Sequence, residues 1–245
     1  MIESGRSTKS TTRRTRTRAE RSLDEILDKT DPVSLAPPLD RALYEFRVYD
    51  VQPHLYTRFL QLTNQKIHLR TAHSQLIGYW SVEYGALNQF FHIWRYESYS
   101  QRAAVRSSLA QDPDWLEQYI SKAIPMLTKQ TNEVARLLPW QPMKDPPTEG
   151  GVFELQRFHI KPKGWGLCEQ GLKNFIQSQH APGLGQVIGA FSNDIGENNT
   201  GENKTWFSPA ENNTTILSVS AQSIEEHLDS VSNKLLFPLP FSPMK

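Results

Sequence analysis

The sequence predicts an α+β fold built from two βαββαβ units in tandem, the second degraded. Three observations predict it. Between residues 42 and 140 the apolar periodicity runs strand, helix, strand, strand, helix, strand. The stretch Phe153-Glu-Leu-Gln-Arg-Phe-His-Ile-Lys-Pro162 aligns without a gap on Tyr44-Glu-Phe-Arg-Val-Tyr-Asp-Val-Gln-Pro53. Gly78, Gly85 and Asn88 are echoed at the same spacings by Gly189, Gly196 and Asn199.

The first unit spans 42–140. Tyr44 to Asp50 alternates like a half-buried strand. Pro53 suits the first turn of a helix, and Leu55, Phe59, Leu62 and Ile67 carry that helix to the late sixties. Gln75 to Tyr84 and Asn88 to Glu97 read as strands around a Gly85-Ala-Leu turn, a hairpin. Ser100 to Ala110 is a helix bearing Arg102 and Arg106. Pro113 opens another, with Trp115, Leu116 and Tyr119 on its apolar face, and Asp112 and Asp114 are placed to cap it. Val134 to Trp140 closes the unit. The order is that of the ferredoxin-like motif, whose sheet carries helices on one face and needs a partner on the other.

Residues 141–151, with Pro142, Pro146, Pro147, Gly150 and Gly151, form a linker. The second unit, 152–245, continues with a helix through Leu172 and Phe175 and a strand around Val187 to Ile195. From Glu197 to Thr215 the repeat decays, so its third strand is expected near Thr214 to Val219 or lost. Sequons at Asn198, Asn203, Asn212 and Asn213 mark this stretch as polar and loop-rich. Residues 1–40 are a tail in which seven Arg and Lys residues from Arg6 to Arg21 alternate with Ser and Thr. That composition suits either a mitochondrial targeting segment or a disordered basic arm. Ser22 to Leu27 reads as a short capped turn.

Composition narrows the function classes. The net charge is +1, so no whole-molecule field favours nucleic acid. No run of about eighteen apolar residues exists, so no transmembrane segment is expected, although peripheral membrane contact stays open. Cys168 is the only cysteine, which excludes an internal disulfide or a thiolate zinc cage and suggests a packing residue.

Titratable and aromatic residues crowd into 68–94. If Tyr84 and Asn88 pair across the turn, Trp80 faces His92, with Trp94 one diagonal step away, on the face that meets the other sheet. The candidate pocket is therefore His68, Arg70, His73, Trp80, Glu83, Asn88, His92 and Trp94. Arg70 is expected to pair with Glu83 or a bound anion. The competing reading makes His92 a hydrogen-bonded core residue and the tryptophans core filling. His68 and His73 lie five apart, off one helix face, and no third ligand is near, so no metal site is expected. No catalytic residue is assigned.

The segments His68-x-Arg-Thr-x-His-Ser74, Gly78-Tyr-Trp-Ser-Val-Glu-Tyr-Gly85, Asn88-x-x-x-His-Ile-Trp94 and Arg102-Ala-Ala-Val-Arg106 resemble the NIPSNAP family. So do Gln118-Tyr119, Leu138-Pro-Trp140 and Phe241-Ser-Pro-Met-Lys245, and the third-homologue subgroup is the most similar. The resemblance implies a dimeric α/β-barrel superfold, two packed sheets. It also implies a mitochondrial or alternatively cytosolic location and a role in vesicular transport or mitochondrial quality control. Two functions are carried forward. The first is a non-enzymatic scaffold that binds protein partners, or further copies of itself, through Arg102, Arg106 and Trp115. The second is a small-molecule or haem-binding barrel with oxidative chemistry, which requires a cavity between the sheets; otherwise no cofactor is expected.

Overall fold

A computed structural model describes residues 40–145, 151–161, 164–178, 187–195, 203–209 and 226–245. The basic tail, the Ser22 to Leu27 turn, part of the linker, Gly196 to Asn199 and Thr214 to Val219 lie outside these. Residues Asp40–Lys245 form one compact unit.

Strand β1 (Leu43–Val51) is followed by a 3-10 turn at Pro53–Leu55 and helix α1 (Tyr56–Thr71). Strands β2 (Gln75–Tyr84) and β3 (Gln89–Tyr96) form the hairpin. Helix α2 (Tyr99–Leu109) starts where the Ser98 hydroxyl accepts the Gln101 N–H. The next helical segment, α3, is composite. It opens at Pro113–Trp115, where Asp112 Oδ1 accepts the Trp115 N–H at 3.1 Å. It widens into a π turn at Leu116–Ile120, then runs through Ser121–Ala123 to a 3-10 turn at Ile124–Met126. Strand β4 is Leu127–Leu137, longer at its start than expected and ending short of Trp140. The rest is β5 (Phe153–Ile160), α4 (Trp165–Ser178), β6 (Gly189–Ile195), β7 (Asn203–Pro209) and β8 (Leu228–Pro238).

The eight strands close into one antiparallel barrel in the order β1-β3-β2-β8-β5-β7-β6-β4. Within the first four the order is 4-1-3-2, and the last four repeat it as 8-5-7-6. The seams are β2 with β8 and β4 with β6. Closure leaves none of these strands with an open edge. The expectation for the third strand after β6 is corrected here: β7 is neither lost nor near Thr214, but pairs with β5 from Asn203.

Strand alternation sorts the side chains into three cores. Phe46, Trp80, Phe91 and Ile93 point inside the barrel, where they meet Phe153, Leu155, Phe191 and Leu236. Leu76, Tyr79, Phe90 and Trp94 point outward, beneath α1, α2 and α3. Phe158, Ile160 and the buried Cys168, Leu172 and Phe175 form the layer under α4. Gly78 and Gly189, on β2 and β6, share a physical role. A Cβ at Gly78 would lie 2.0 Å from the Trp80 ring, and one at Gly189 would lie 2.9 Å from the Phe191 ring. Each glycine leaves room for the aromatic ring two residues on.

Candidate functional site

The register of the hairpin corrects the expected site. Tyr79, not Trp80, pairs with His92, and Trp80 pairs with Phe91. The shift is one residue: the last pair of the hairpin is Val82 with Gln89, and between them Gly85 (φ 90°) and Asn88 (φ 55°) are both left-handed. A one-residue slip sends side chains to the opposite face. His92 therefore faces the helices, while Trp80 fills the barrel.

Of the eight candidate residues, three come together: Arg70, His92 and Trp94 line one cavity. Trp80 is buried in the barrel, stacked 5.7 Å from Phe91. Glu83 is exposed and accepts the Ser81 hydroxyl at 2.8 Å, so the expected Arg70–Glu83 pair is absent. Arg70 instead bonds the Tyr96 hydroxyl at 2.7 Å and the Ser74 hydroxyl, and lies over the Trp94 ring at 4.2 Å. His73 pairs with Asp112 at 3.0 Å. His68 is exposed at the end of α1. Asn88 shapes the turn, its carbonyl accepting the Val51 N–H at 2.8 Å. The expected partner surface also divides. Trp115 is only 9% exposed, Arg106 lies with it along the cavity, and Arg102 is bonded to Glu45. Leu116, expected on the apolar face, is exposed, while Trp115 and Tyr119, four residues apart, are buried on one face.

The cavity lies between the outer face of the β1–β3 sheet and helices α1–α3, not between sheets. It holds about 260 Å³. Its floor is Arg47, Tyr49, Tyr79, His92 and Trp94; its roof includes Arg70, Trp115, Tyr119 and Ile120. His92 is 3% exposed and stacks on Tyr79, rings 4.4 Å apart and 4° from parallel. Its Nδ1 accepts the Trp94 indole N–H at 2.7 Å. Burial, then the charges of Arg47 and Arg70, push its pKa well below 6.5. The ring is thus neutral, and because Nδ1 is an acceptor the proton sits on Nε2. That Nε2, the Tyr79 hydroxyl and the Arg47 Nε are buried without a hydrogen-bond partner among the described residues.

Charge around the cavity is unbalanced. Glu45 is fully buried and accepts from Arg102 (2.6 Å), Asn132 (2.9 Å) and Tyr96 (3.2 Å), with Arg47 at 3.8 Å. Burial alone would raise its pKa, but Arg102 and Arg47 hold it down at about 2. Arg70 and Arg106 have no carboxylate partner among the described residues. By contrast, a smaller cavity of about 160 Å³ at the polar end of the barrel interior is internally matched. There Arg157 meets Glu133 at 2.9 Å, and Gln89 bridges Asp50 and Lys234.

These donors fit a haem iron or other metal poorly. A ligating imidazole offers a lone pair, whereas His92 presents an N–H to the cavity beside two arginines. No metal-ligand cluster exists among the described residues. Arg47, Tyr49, Tyr79 and Tyr119 line the cavity as well and were not among the expected site residues. One signal for the first was present: Glu45 and Arg47 occupy the helix-facing phase of a strand with Leu43, Tyr49 and Val51, where charge needs a partner.

The NIPSNAP family model matches residues 44–142. NipSnap homolog 3A of Homo sapiens is 35% identical over 217 residues, covering 84% of this chain and 87% of that protein. NipSnap homolog 3B of Mus musculus is 34% identical over 213 residues, 82% of this chain and 85% of that protein. A solved structure from Fusobacterium nucleatum subsp. nucleatum superposes with a TM-score of 0.59 at 9% identity, over 83% of this chain and 98% of that one. That likeness concerns the fold alone. The chain belongs to the NIPSNAP family, and its similarity is to the third-homologue members.

Proposed function

We propose that this chain is a non-enzymatic NIPSNAP-type adaptor whose first half carries a pocket for a small molecule. The single observation that carries it is the cavity between sheet and helices with three unpartnered buried donors. Buried polar groups without partners are rare, and a concave site that collects several of them points to a ligand that completes them. At about 260 Å³ the cavity lies just below the roughly 300–1,000 Å³ of sites for drug-sized ligands, so the occupant is small.

The test is a thermal-shift screen of small fragments on the full chain and on Ala110→Phe, which fills the cavity from the residue that caps the end of α2. Fragments that stabilise the native chain and not the variant support the pocket. Equal effects on both, or none, contradict it. A saturable Soret shift with haemin, lost in His92→Ala, would instead favour the haem-binding alternative.

The adaptor part of the reading rests on the family and on the basic tail. It places the protein at or in mitochondria, with a role in vesicular transport or mitochondrial quality control. A fluorescent fusion should reach mitochondria with residues 1–40 and fail without them; a cytosolic signal in both cases counts against it. The identical strand order of the two halves, and the Gly78 and Gly189 pockets, support descent from a duplicated βαββαβ unit. The barrel then joins within one chain what a dimer of single units would build from two.

A further inference from the structure

Resting on the pocket reading above, the geometry points to a ligand class: we infer that the cavity takes a small aromatic carboxylate. Its carboxylate would lie between the Arg47 and Arg70 side chains, accepting from the Tyr79 hydroxyl and from His92 Nε2–H. Its ring would lie among Trp94, Trp115 and Tyr119.

Four observations carry this. First, every unpartnered buried polar atom that lines the cavity is a donor or, for the Tyr79 hydroxyl, able to donate. A set of donors without acceptors selects an acceptor-only group, and an ionised carboxylate is one. Second, the fixed charge is positive. Arg70 is 4% exposed and held by hydroxyls and an indole face rather than by an acid. Arg47 is only loosely held, at 3.8 Å from Glu45 and 3.5 Å from Gln130 Oε1. The one buried carboxylate beside them, Glu45, is already engaged by Arg102 and Asn132. Third, Arg106 is exposed along the same cavity, a cation placed where an anion would enter. Fourth, the donors are fixed rather than adaptable. His92 is locked in one tautomer by Trp94 and stacked on Tyr79, and Tyr79 is pinned from both sides of its backbone. Its N–H bonds Ser242 Oγ at 3.0 Å and its carbonyl accepts the Leu239 N–H at 3.0 Å. Such a frame is pre-organised, which favours binding.

The experiment is isothermal titration of the full chain with benzoate, benzamide and phenyl phosphate, matched in ring and different in charge. Tyr79→Phe and Arg70→Gln are titrated alongside. Tyr79→Phe removes a hydroxyl that has no protein partner, so the fold should keep its stability while benzoate affinity drops about tenfold, the loss of one hydrogen bond to a charged group. Arg70→Gln should weaken benzoate by tenfold or more, and folding is checked by thermal unfolding. Benzoate should bind at one equivalent, at least tenfold tighter than benzamide.

Benzamide binding as well as benzoate, with Tyr79→Phe unchanged, overturns the carboxylate assignment and leaves the small-molecule pocket standing. Phenyl phosphate binding tenfold tighter than benzoate also overturns it, in favour of a phosphate group. No heat with any of the three, together with a silent fragment screen, removes the pocket reading as well.

Discussion

His92 shows how one side chain was both visible and misplaced in the sequence. Its aromatic surroundings predicted burial, which is correct, but the face depended on a register that a turn sets. Buried and neutral, it makes stability depend on pH. Unfolded, it takes up a proton near pH 6.5; folded, it does so only much lower. The unfolded chain therefore binds more protons below pH 6.5, and stability falls as pH drops through that window, by up to about 1.4 kcal/mol per pH unit. Chemical denaturation across pH 4.5 to 7 should show this slope, and His92→Gln should flatten it. Glu45 acts lower down. Its folded value of about 2 against 4.5 contributes stability that is present above pH 4.5 and lost as pH falls toward 2. The shift corresponds to about 3 kcal/mol. Glu45→Ala, which leaves Arg102 and Arg47 without their acid, should cost at least that much at pH 7, on the order of 3–5 kcal/mol, in urea titration.

At the level of elements, strand and helix positions in the first half were legible because their signals are local. Pro53, Pro113 and the Asp112 cap fix helix starts, and alternation marks the strands. Two features were not legible. The hairpin register was missed because pairing ends at Val82 with Gln89, and the π turn at Leu116–Ile120 leaves no mark in apolar spacing. Arg106 and Trp115, expected to form a partner surface, both line the cavity, Arg106 exposed at its edge and Trp115 buried. Of the glycines in the expected repeat, Gly78 and Gly189 owe their places to packing. Gly78→Ala drives a methyl into the Trp80 ring inside a filled barrel, so it should cost about 1–3 kcal/mol. Gly189→Ala meets the edge of Phe191 at a longer distance and should cost less. A reversed order in denaturant unfolding would contradict this account of the two strands.

At the scale of the whole molecule, closure of the barrel was the part least available to sequence. It depends on seams between segments far apart in the chain, such as Trp80 with Pro238 and Val134 with Ile195. The terminal Phe241-Ser-Pro-Met-Lys245, noticed only as a resemblance, has a physical role here. Leu239 and Met244 are buried, Phe241 packs edge-on against Tyr79, and Ser242 bonds its backbone. Deleting residues 239–245 should therefore cost about 3–5 kcal/mol, from two buried side chains and a freed backbone pair, and should weaken ligand binding with it. The fragment 40–145, cut from the barrel, exposes the edges of β2 and β4 and the inner faces of Phe46, Trp80 and Phe91. It should self-associate, and sedimentation as a stable monomer would be evidence against a core shared by both halves.

The most direct measurement is the nitrogen NMR spectrum of histidine-labelled protein, with His92→Gln to assign the signal, before and after benzoate. The ring should be neutral, protonated at Nε2 and unchanged from pH 8 to below 6, and its Nε2–H signal should move on binding. A ring that titrates near pH 6.5, or carries its proton on Nδ1, or ignores benzoate while benzoate binds, would contradict this.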